Sequence, residues 1–187
     1  MKRPRARPAL PRTVWLLGGA SLLNDAAAEM VAPLLPLLLT VTLGAGPAMV
    51  GLIEGLADAA SSVLKLYSGR LADRGHSARV LIVGGYGLSN LARPLLGLAG
   101  AWPAVMALRV TDRIGKGLRT SPRDALVAGA VDADQRGRAF GLHRSMDHAG
   151  AVLGPLLAAA LLTVGLTLPQ VLLVSVLPGL AVIGVLL

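Results

Sequence analysis

Long apolar stretches separated by short connections dominate the chain. A helix that crosses about 30 Å of hydrocarbon needs roughly 20 mostly apolar residues. Six stretches approach that length, and we predict that each forms a membrane-spanning helix. The predicted spans follow a basic tail over 1–12 and are 13–42, 48–67, 80–98, 102–118, 140–164 and 168–187. The pattern therefore predicts an all-α membrane protein with six transmembrane helices.

Two of the predicted spans depart from a simple apolar helix. The first contains Pro33 and Pro36 in its second half. Because each proline removes a backbone hydrogen-bond donor, we expect a kink there that neighbouring helices cover. The fourth span carries Arg109, Asp112 and Arg113, so its hydropathy alone makes it a marginal membrane helix.

Basic residues alternate from one connection to the next. They precede the first span, and they fall between the second and third spans and between the fourth and fifth. The other three connections, over 43–47, 100–101 and 165–167, contain no charged residue. Since basic loops stay in the cytoplasm, we expect cytoplasmic N- and C-termini. The basic residues are Lys2, Arg3, Arg5, Arg7 and Arg12, then Arg70, Arg74 and Arg79, then Arg119, Arg123, Arg136 and Arg138.

Composition excludes several other classes of protein. Only 15% of the 187 residues are charged and 54% are hydrophobic, whereas a soluble domain has about 25% charged residues. The formal net charge of +8 could suit nucleic acid, but aromatic residues make up only 3%, too few for base stacking. Cysteine is absent. We therefore expect no nucleic-acid partner, no metal site, no cofactor and no enzymatic activity.

Charged residues inside the spans are the candidates for function, because each costs about 3 kcal/mol at mid-bilayer. In each of two acidic pairs, Asp25 with Glu29 and Glu54 with Asp58, the two residues lie one helical turn apart. These pairs could carry protons or another cation. The arginines could balance these charges or hold an anionic substrate. Structural ion pairs that hold the bundle together are the alternative. The candidates for a substrate or proton pathway are Asp25, Glu29, Glu54, Asp58, Arg93, Arg109, Asp112 and Arg113.

The connection after the second span carries a recognisable motif. It contains Gly69, then Asp73 and Arg74, then a second glycine, with Arg79 as the remaining basic residue. This resembles the signature loop of the major facilitator superfamily, although the second glycine comes one residue early. We interpret the motif as a cytoplasmic gate, in which Asp73 pairs with an arginine or caps a helix. A plain topology loop would explain the arginines alone.

Further segments resemble the same superfamily. Gly150, Gly154 and Pro155 resemble a motif associated with its antiporters, although a packing kink would explain the same spacing. Arg109 occupies the position of the superfamily's mid-helix arginine, while Arg113 stands where a glycine is usual. The segments 24–36 and 112–124 are similar to one prokaryotic branch.

The resemblance implies a fold and a function. Such transporters have two six-helix halves around a central path, and this chain resembles the N-terminal half. It implies proton-coupled efflux of a small molecule by alternating access, in the inner membrane of a prokaryote. The partners would be the lipid bilayer, the substrate, protons or another cation, and a missing C-terminal half or a second copy. Because the chain stops in an apolar segment, we expect a fragment of a longer protein.

Two alternatives stay open at this stage. Proton-coupled uptake of a small anionic solute is the main alternative within transport. A six-span scaffold or assembly protein, whose charges hold partner helices, is the alternative of another class. A membrane enzyme has little support, because no nucleophile–base arrangement and no metal-ligand spacing stands out in the sequence.

Overall fold

A computed structural model describes residues 9–74 and 77–186, and every regular element in that part of the chain is helical. Residues 1–8 of the basic tail, Gly75 and His76 of the loop motif, and Leu187 lie outside the described residues. Short π and 3₁₀ turns cover Leu38–Thr42, Leu96–Leu98 and Ala133–Gln135. The α-helices are α1 (Arg12–Val31), α2 (Leu34–Leu37), α3 (Pro47–Asp73), α4 (Ala78–Leu95), α5 (Trp102–Gly129), α6 (Arg136–Thr163), α7 (Leu168–Val174) and α8 (Val176–Leu186).

The first apolar segment is interrupted at its prolines. Helix α1 ends at Val31, immediately before Ala32 and Pro33, and α2 passes into the π turn soon after Pro36. The predicted break in the second half of this segment is therefore confirmed. Leu35 and Leu39 are fully buried, whereas Pro33 and Pro36 are exposed. Neighbouring helices therefore cover only one face of the interrupted part, and the expectation that they cover the prolines is wrong.

Helix α5 continues well beyond the end predicted for the fourth span. It runs to Gly129 and includes Pro122. Arg119 and Arg123, which the charge pattern assigned to a cytoplasmic loop, are instead buried within this helix. They can be buried because other helices supply hydrogen-bond acceptors to them, Ser89 from α4 and Ser21 from α1.

Four helical segments among the described residues are long and apolar enough to cross a membrane. They are Arg12–Thr42, Pro47–Asp73, Ala133–Thr163 and Leu168–Leu186. The segments formed by α4 and α5 do not reach this standard of length and apolar content. Both carry arginines that are buried inside the bundle, and this internal polarity lowers the hydropathy by which a span is recognised.

The helices pack in pairs through small residues. Helix α1 lies along α6, while α5 lies between α3 and α4, and α8 packs against α1 and α4. Gly85 and Gly115 meet where α4 touches α5, and a Cβ atom on Gly115 would lie 2.5 Å from the carbonyl oxygen of Gly85. The outer surface carries exposed apolar side chains such as Val63, Leu91 and Val152. Such a surface is suited to contact with lipid.

Candidate functional site

Helices α3 and α5 are joined by two successive ion-pair rungs. Arg109 donates from Nε to Glu54 Oε1 at 2.8 Å and from Nη2 to Glu54 Oε2 at 3.1 Å. One turn later, Arg113 Nε lies 3.5 Å from Asp58 Oδ1, and its Nη2 lies 3.6 Å from Glu54. Both acidic residues and both arginines are four positions apart, so each pair presents one face of its helix. We call these four residues the ladder.

Helices α3 and α5 run parallel and approach closely on the C-terminal side of the ladder. The Ser121 hydroxyl donates to the carbonyl oxygen of Lys65 at 2.8 Å, and Ser68 donates to that of Gly117 at 3.0 Å. A Cβ atom on Gly117 would lie 2.7 Å from the carbonyl oxygen of Ser61. The absence of a side chain at Gly117 therefore permits the spacing at which the ladder residues meet.

A third buried arginine extends the ladder to two further helices. Arg93 of α4 is 1% exposed and donates from Nε to Asp112 Oδ1 at 2.9 Å. Its Nη1 donates to the carbonyl and side-chain oxygens of Asn24 at 3.2 and 3.0 Å, and to Asn90 Oδ1 at 3.0 Å. Because Asp112 also accepts from Arg109 Nη1 at 3.4 Å, α1, α4 and α5 share one polar network with α3.

This network is balanced in charge but open on one side. Three arginines face three carboxylates, and the innermost members are sealed from solvent. Exposure of the side chains rises toward α3, from 2% for Asp112 to 33% for Glu54 and 69% for Asp58. The structure thus brings together six of the eight predicted pathway residues, and their charges reach the bundle surface at α3.

The two remaining predicted residues lie apart from the ladder. Asp25 and Glu29 are both half-buried on α1. Asp25 accepts a hydrogen bond from Asn24 Nδ2 at 3.0 Å. Glu29 packs its Cβ beside Gly154 of α6, and its carboxyl group makes no hydrogen bond or ion pair with any described residue. These two carboxyl groups have no arginine partner, unlike Glu54 and Asp58.

A second charged site lies between α1, α3, α5 and α6. It is a cavity of about 260 Å³ that we call the cationic cavity. Sequence reasoning did not assign it, although charged and polar residues of α5 recur at every third or fourth position from Arg109 to Arg123. That helical stripe was the available signal. Its lining residues are Asp25, Lys65, Lys116, Arg119, Thr120, Arg123, Arg144 and Asp147.

Part of the cationic cavity is internally paired. Arg123 donates to Asp124 Oδ1 at 3.1 and 3.0 Å and to the Ser21 hydroxyl at 2.8 Å. Arg144 contacts Asp147 at 3.2 Å and Asp124 at 3.6 Å. These contacts tie α5 to α6 along one wall of the cavity.

Buried Arg119 lies one turn before Arg123 on α5 and has fewer partners. Its Nη1 donates to the Ser89 hydroxyl at 2.9 Å, and its guanidinium lies 4.6 Å from the centre of the Tyr86 ring. An aromatic face attracts a cation by its quadrupole. The Nε of Arg119 is buried and has no hydrogen-bond partner.

The proposed gate residues lie near the C-terminal end of α3 and the N-terminal end of α4. A Cβ atom on Gly69 would be in ordinary van der Waals contact with Ser121 of α5. Asp73 is the last residue of α3, and it is exposed, as are Arg74 and Arg79. Asp73 forms no ion pair or side-chain hydrogen bond with the described residues. A gate that depends on Asp73 therefore needs a partner from elsewhere.

The glycines of the antiporter-like motif have a packing role. A Cβ atom on Gly150 would clash with the carbonyl oxygen of Leu22, and one on Gly154 would lie 2.6 Å from that of Ala26. Pro155 follows within α6. The two glycines therefore set the close approach of α1 and α6, which the packing interpretation of the motif requires. Among the described residues, no group of three or more acidic or histidine side chains could hold a metal ion.

Sequence comparison finds related proteins along most of the chain. An uncharacterized MFS-type transporter of Methanocaldococcus jannaschii is 38% identical over 149 residues, which are 80% of this chain and 37% of that protein. An uncharacterized Mycobacterium tuberculosis protein is 38% identical over 97% of this chain and 45% of its own length. The multidrug resistance protein MdtH of Escherichia coli is 32% identical over 71% of this chain and 33% of its length. The chain thus spans less than half of these relatives.

Solved structures share the fold. A bacterial homologue of the human lysosomal transporter Spinster, in its inward-facing and occupied conformation, matches with a TM-score of 0.71 at 20% identity over 93% of this chain and 42% of that one. The unoccupied inward-facing conformation gives 0.75 at 19% identity, over 93% and 41%. The profile of the Major Facilitator Superfamily matches residues 17–187. The chain therefore belongs to the major facilitator superfamily.

Proposed function

We propose that the chain forms the N-terminal, six-span half of a secondary active transporter that moves a small molecule by alternating access. Members of its superfamily are membrane-embedded transporters with several spans. One observation carries the proposal for this chain: the ladder opens onto the bundle surface at α3. We infer that this opening lies near the middle of the membrane, because a span crosses about 30 Å of hydrocarbon. Asp58 lies eleven residues after Pro47, about 16 Å along α3 at 1.5 Å per residue.

The exposure of Asp58 decides what that surface faces. A charged side chain at mid-bilayer depth costs about 3 kcal/mol or more when it faces lipid. With 69% of its side chain exposed, Asp58 must face water or polar protein instead. A second six-helix bundle opposite α3 and α5 would supply both, with an aqueous path between the bundles.

The predicted pathway residues take separate parts in this proposal. The ladder, with Arg93 and Asp112, forms a rigid polar wall beside the path. Asp25 and Glu29 are the proton carriers, because their carboxyl groups have no ion-pair partner. A carboxyl group that is paired with an arginine is less free to bind and release a proton than an unpaired one. Gly69, Asp73, Arg74 and Arg79 form the cytoplasmic gate, and Asp73 takes its partner from the opposite bundle.

The charge pattern supports a topology, and the relatives support a direction of transport. The basic connections support cytoplasmic termini in the inner membrane of a prokaryote. Efflux is supported by the MdtH relatives of Escherichia coli and Aeromonas hydrophila, which are multidrug resistance proteins. Uptake of an anionic solute with protons is the second candidate, and the excess of positive charge in the cationic cavity favours it.

Reconstitution into proteoliposomes tests the proposal. The full chain is reconstituted alone and, in a second preparation, followed by whatever its reading frame encodes after position 187. We expect flux of at least one solute from a panel of cationic dyes and small anions, driven by a pH gradient and abolished when the gradient is collapsed. If neither preparation moves any solute under a gradient of either direction, the scaffold alternative is favoured and the transport proposal is wrong.

A further inference from the structure

We propose that the cationic cavity binds a small oxyanion, either free or as the anionic head of a larger solute. Phosphate, sulfate, carboxylate and phosphate ester groups share the required chemistry. The inference rests on the proposed transport function, since it names the class of substrate that the path would carry. It assigns the anion to Lys65, Lys116 and Arg119, and not to the arginines of the ladder.

Positively charged side chains are in excess in the cavity wall. Five cationic side chains line the cavity against two carboxylates, those of Asp25 and Asp147. Asp124 stands just outside the lining and pairs with Arg123 and Arg144. Even when Asp124 is included, positive charges outnumber negative ones by two. An anion inside the cavity would offset this excess.

Three of the cations that line the cavity lack an ion-pair partner among the described residues. Arg123 and Arg144 have carboxylate partners within 4 Å, whereas Lys65, Lys116 and Arg119 form no ion pair with the described residues. Arg119 is only 3% exposed and its Nε has no hydrogen-bond partner. A buried cation without an ion-pair partner is costly. A bound oxyanion in the cavity would offset the charge of Arg119.

The ladder provides the contrast that locates the anion. There, three arginines face three carboxylates, and Arg109 and Arg93 are both hydrogen-bonded to them. An added anion would have to displace Glu54 or Asp112 from a guanidinium. In the cationic cavity no such displacement is needed at Lys65 or Lys116.

The size and chemistry of the cavity limit the ligand. Its volume of about 260 Å³ falls below the roughly 300–1,000 Å³ of pockets for drug-sized molecules. Lysine offers a mobile point charge and arginine a planar set of donors, and the combination is common in phosphate sites. Arg144 is more than half exposed at the cavity edge. The site therefore suits a compact anionic group that enters from the open side.

Equilibrium binding to the full chain in lipid nanodiscs tests the inference. The probe is inorganic phosphate, titrated against sodium chloride at equal ionic strength, with the midpoint of thermal unfolding and calorimetric heat as readouts. We expect phosphate to raise the unfolding midpoint and chloride to leave it unchanged. Lys116→Gln should weaken phosphate binding about tenfold or more, because it removes a charge-assisted hydrogen bond.

The matched control is Arg12→Gln, which removes one exposed positive charge at the start of α1, far from the cavity lining. It should bind phosphate like the unmodified chain. Lys65→Gln, at a half-buried position, provides a second cavity variant if Lys116→Gln does not fold. Equal effects of phosphate and chloride, or equal binding by the cavity variants and Arg12→Gln, would overturn the inference.

Two further comparisons distinguish a lipid head group from a free solute, and the anion site from the transport function. Nanodiscs of phosphatidylcholine are compared with nanodiscs that contain phosphatidylglycerol. Weaker phosphate binding in the anionic lipid identifies a lipid head group as a competing occupant of the same site, and unchanged binding identifies a free solute. Gradient-driven flux of a cationic dye without phosphate binding would refute only the anion site. Phosphate binding without any flux would refute only the transport function.

Discussion

Arg109 of α5 donates two parallel hydrogen bonds to Glu54 of α3, from Nε at 2.8 Å and from Nη2 at 3.1 Å. Bidentate pairing of this kind fixes direction as well as distance. The third nitrogen of the same guanidinium reaches Asp112 at 3.4 Å. One side chain therefore joins two parallel helices and connects the open face of the bundle to its sealed interior.

Breaking this contact should reveal energetic coupling between its two residues. Glu54→Gln and Arg109→Gln should each lower the free energy of unfolding, and the double variant should cost about 0.5–3 kcal/mol less than the sum of the two. Chemical unfolding of the full chain in detergent measures these values. The control pairs Arg109→Gln with Asp134→Asn, an exposed carboxylate far along the chain. Additive effects in the first cycle would contradict the ladder.

The glycines of α6 should differ sharply in their tolerance of a methyl group. A Cβ atom on Gly154 would meet backbone atoms of α1 at 2.6 and 2.8 Å, whereas one on Gly141 meets nothing within 4 Å. Gly154→Ala should therefore destabilise the chain by about 1–3 kcal/mol through overpacking. Gly141→Ala should be neutral or stabilising by up to about 1 kcal/mol, because alanine favours a helix. Thermal unfolding in nanodiscs compares them, and equal shifts would exclude a packing role.

Asp73 should matter for transport and not for the stability of this bundle. Its side chain is exposed and forms no ion pair with the described residues, so Asp73→Asn should change the free energy of unfolding by less than about 0.5 kcal/mol. The same variant should reduce flux in the preparation that contains a second bundle, since the gate partner lies there. Asp132→Asn, at an exposed position of another connection, is the control. A large loss of stability would show that Asp73 serves the fold.

Glu29 should carry the coupling to protons. Its carboxyl group has no hydrogen-bond or ion-pair partner among the described residues, so Glu29→Gln keeps shape and packing while it removes the titrating group. We expect gradient-driven flux to fall at least tenfold and exchange of substrate without a gradient to continue. Flux measured at several imposed pH differences checks this. A variant that still responds to the gradient like the unmodified chain would remove Glu29 from the proton path.

The sequence was sufficient to predict where most helical segments and the charged faces lie, but neither the full length of α5 nor which faces meet. The spacing of Glu54 and Asp58 gives one helix face, and that of Arg109 and Arg113 gives another. Their pairing across 55 positions of the chain depends on the register of α3 against α5. That register is set by close contacts such as those at Gly117, which no local pattern reports.

The cationic cavity shows where charge counting along the chain fails. Arg119 and Arg123 were assigned to a cytoplasmic loop because basic residues accumulate there. In the structure they are buried, and their partners Ser89 and Ser21 come from α4 and α1. Partners so distant in sequence become visible only once the helices are packed. Helical periodicity along α5 was the one local signal that placed them on the same face as Arg109.

We propose that the α3 face bearing Asp58 borders water in the middle of the membrane, while the opposite face borders lipid. Because the chain contains no cysteine, single cysteines can be introduced into it directly. Asp58→Cys and Leu56→Cys place thiols on nearly opposite sides of α3, about 3 Å apart in depth at 1.5 Å per residue. Both positions are exposed on the bundle surface.

Labelling with a charged, membrane-impermeant thiol reagent in native membranes compares the two variants most directly. A thiol must reach water to react as the thiolate, so we predict rapid modification of Asp58→Cys and almost none of Leu56→Cys. Denatured samples of both variants, labelled to completion, provide the scale. Protection of Asp58→Cys to the level of Leu56→Cys would contradict the account, because the ladder would then face no aqueous path.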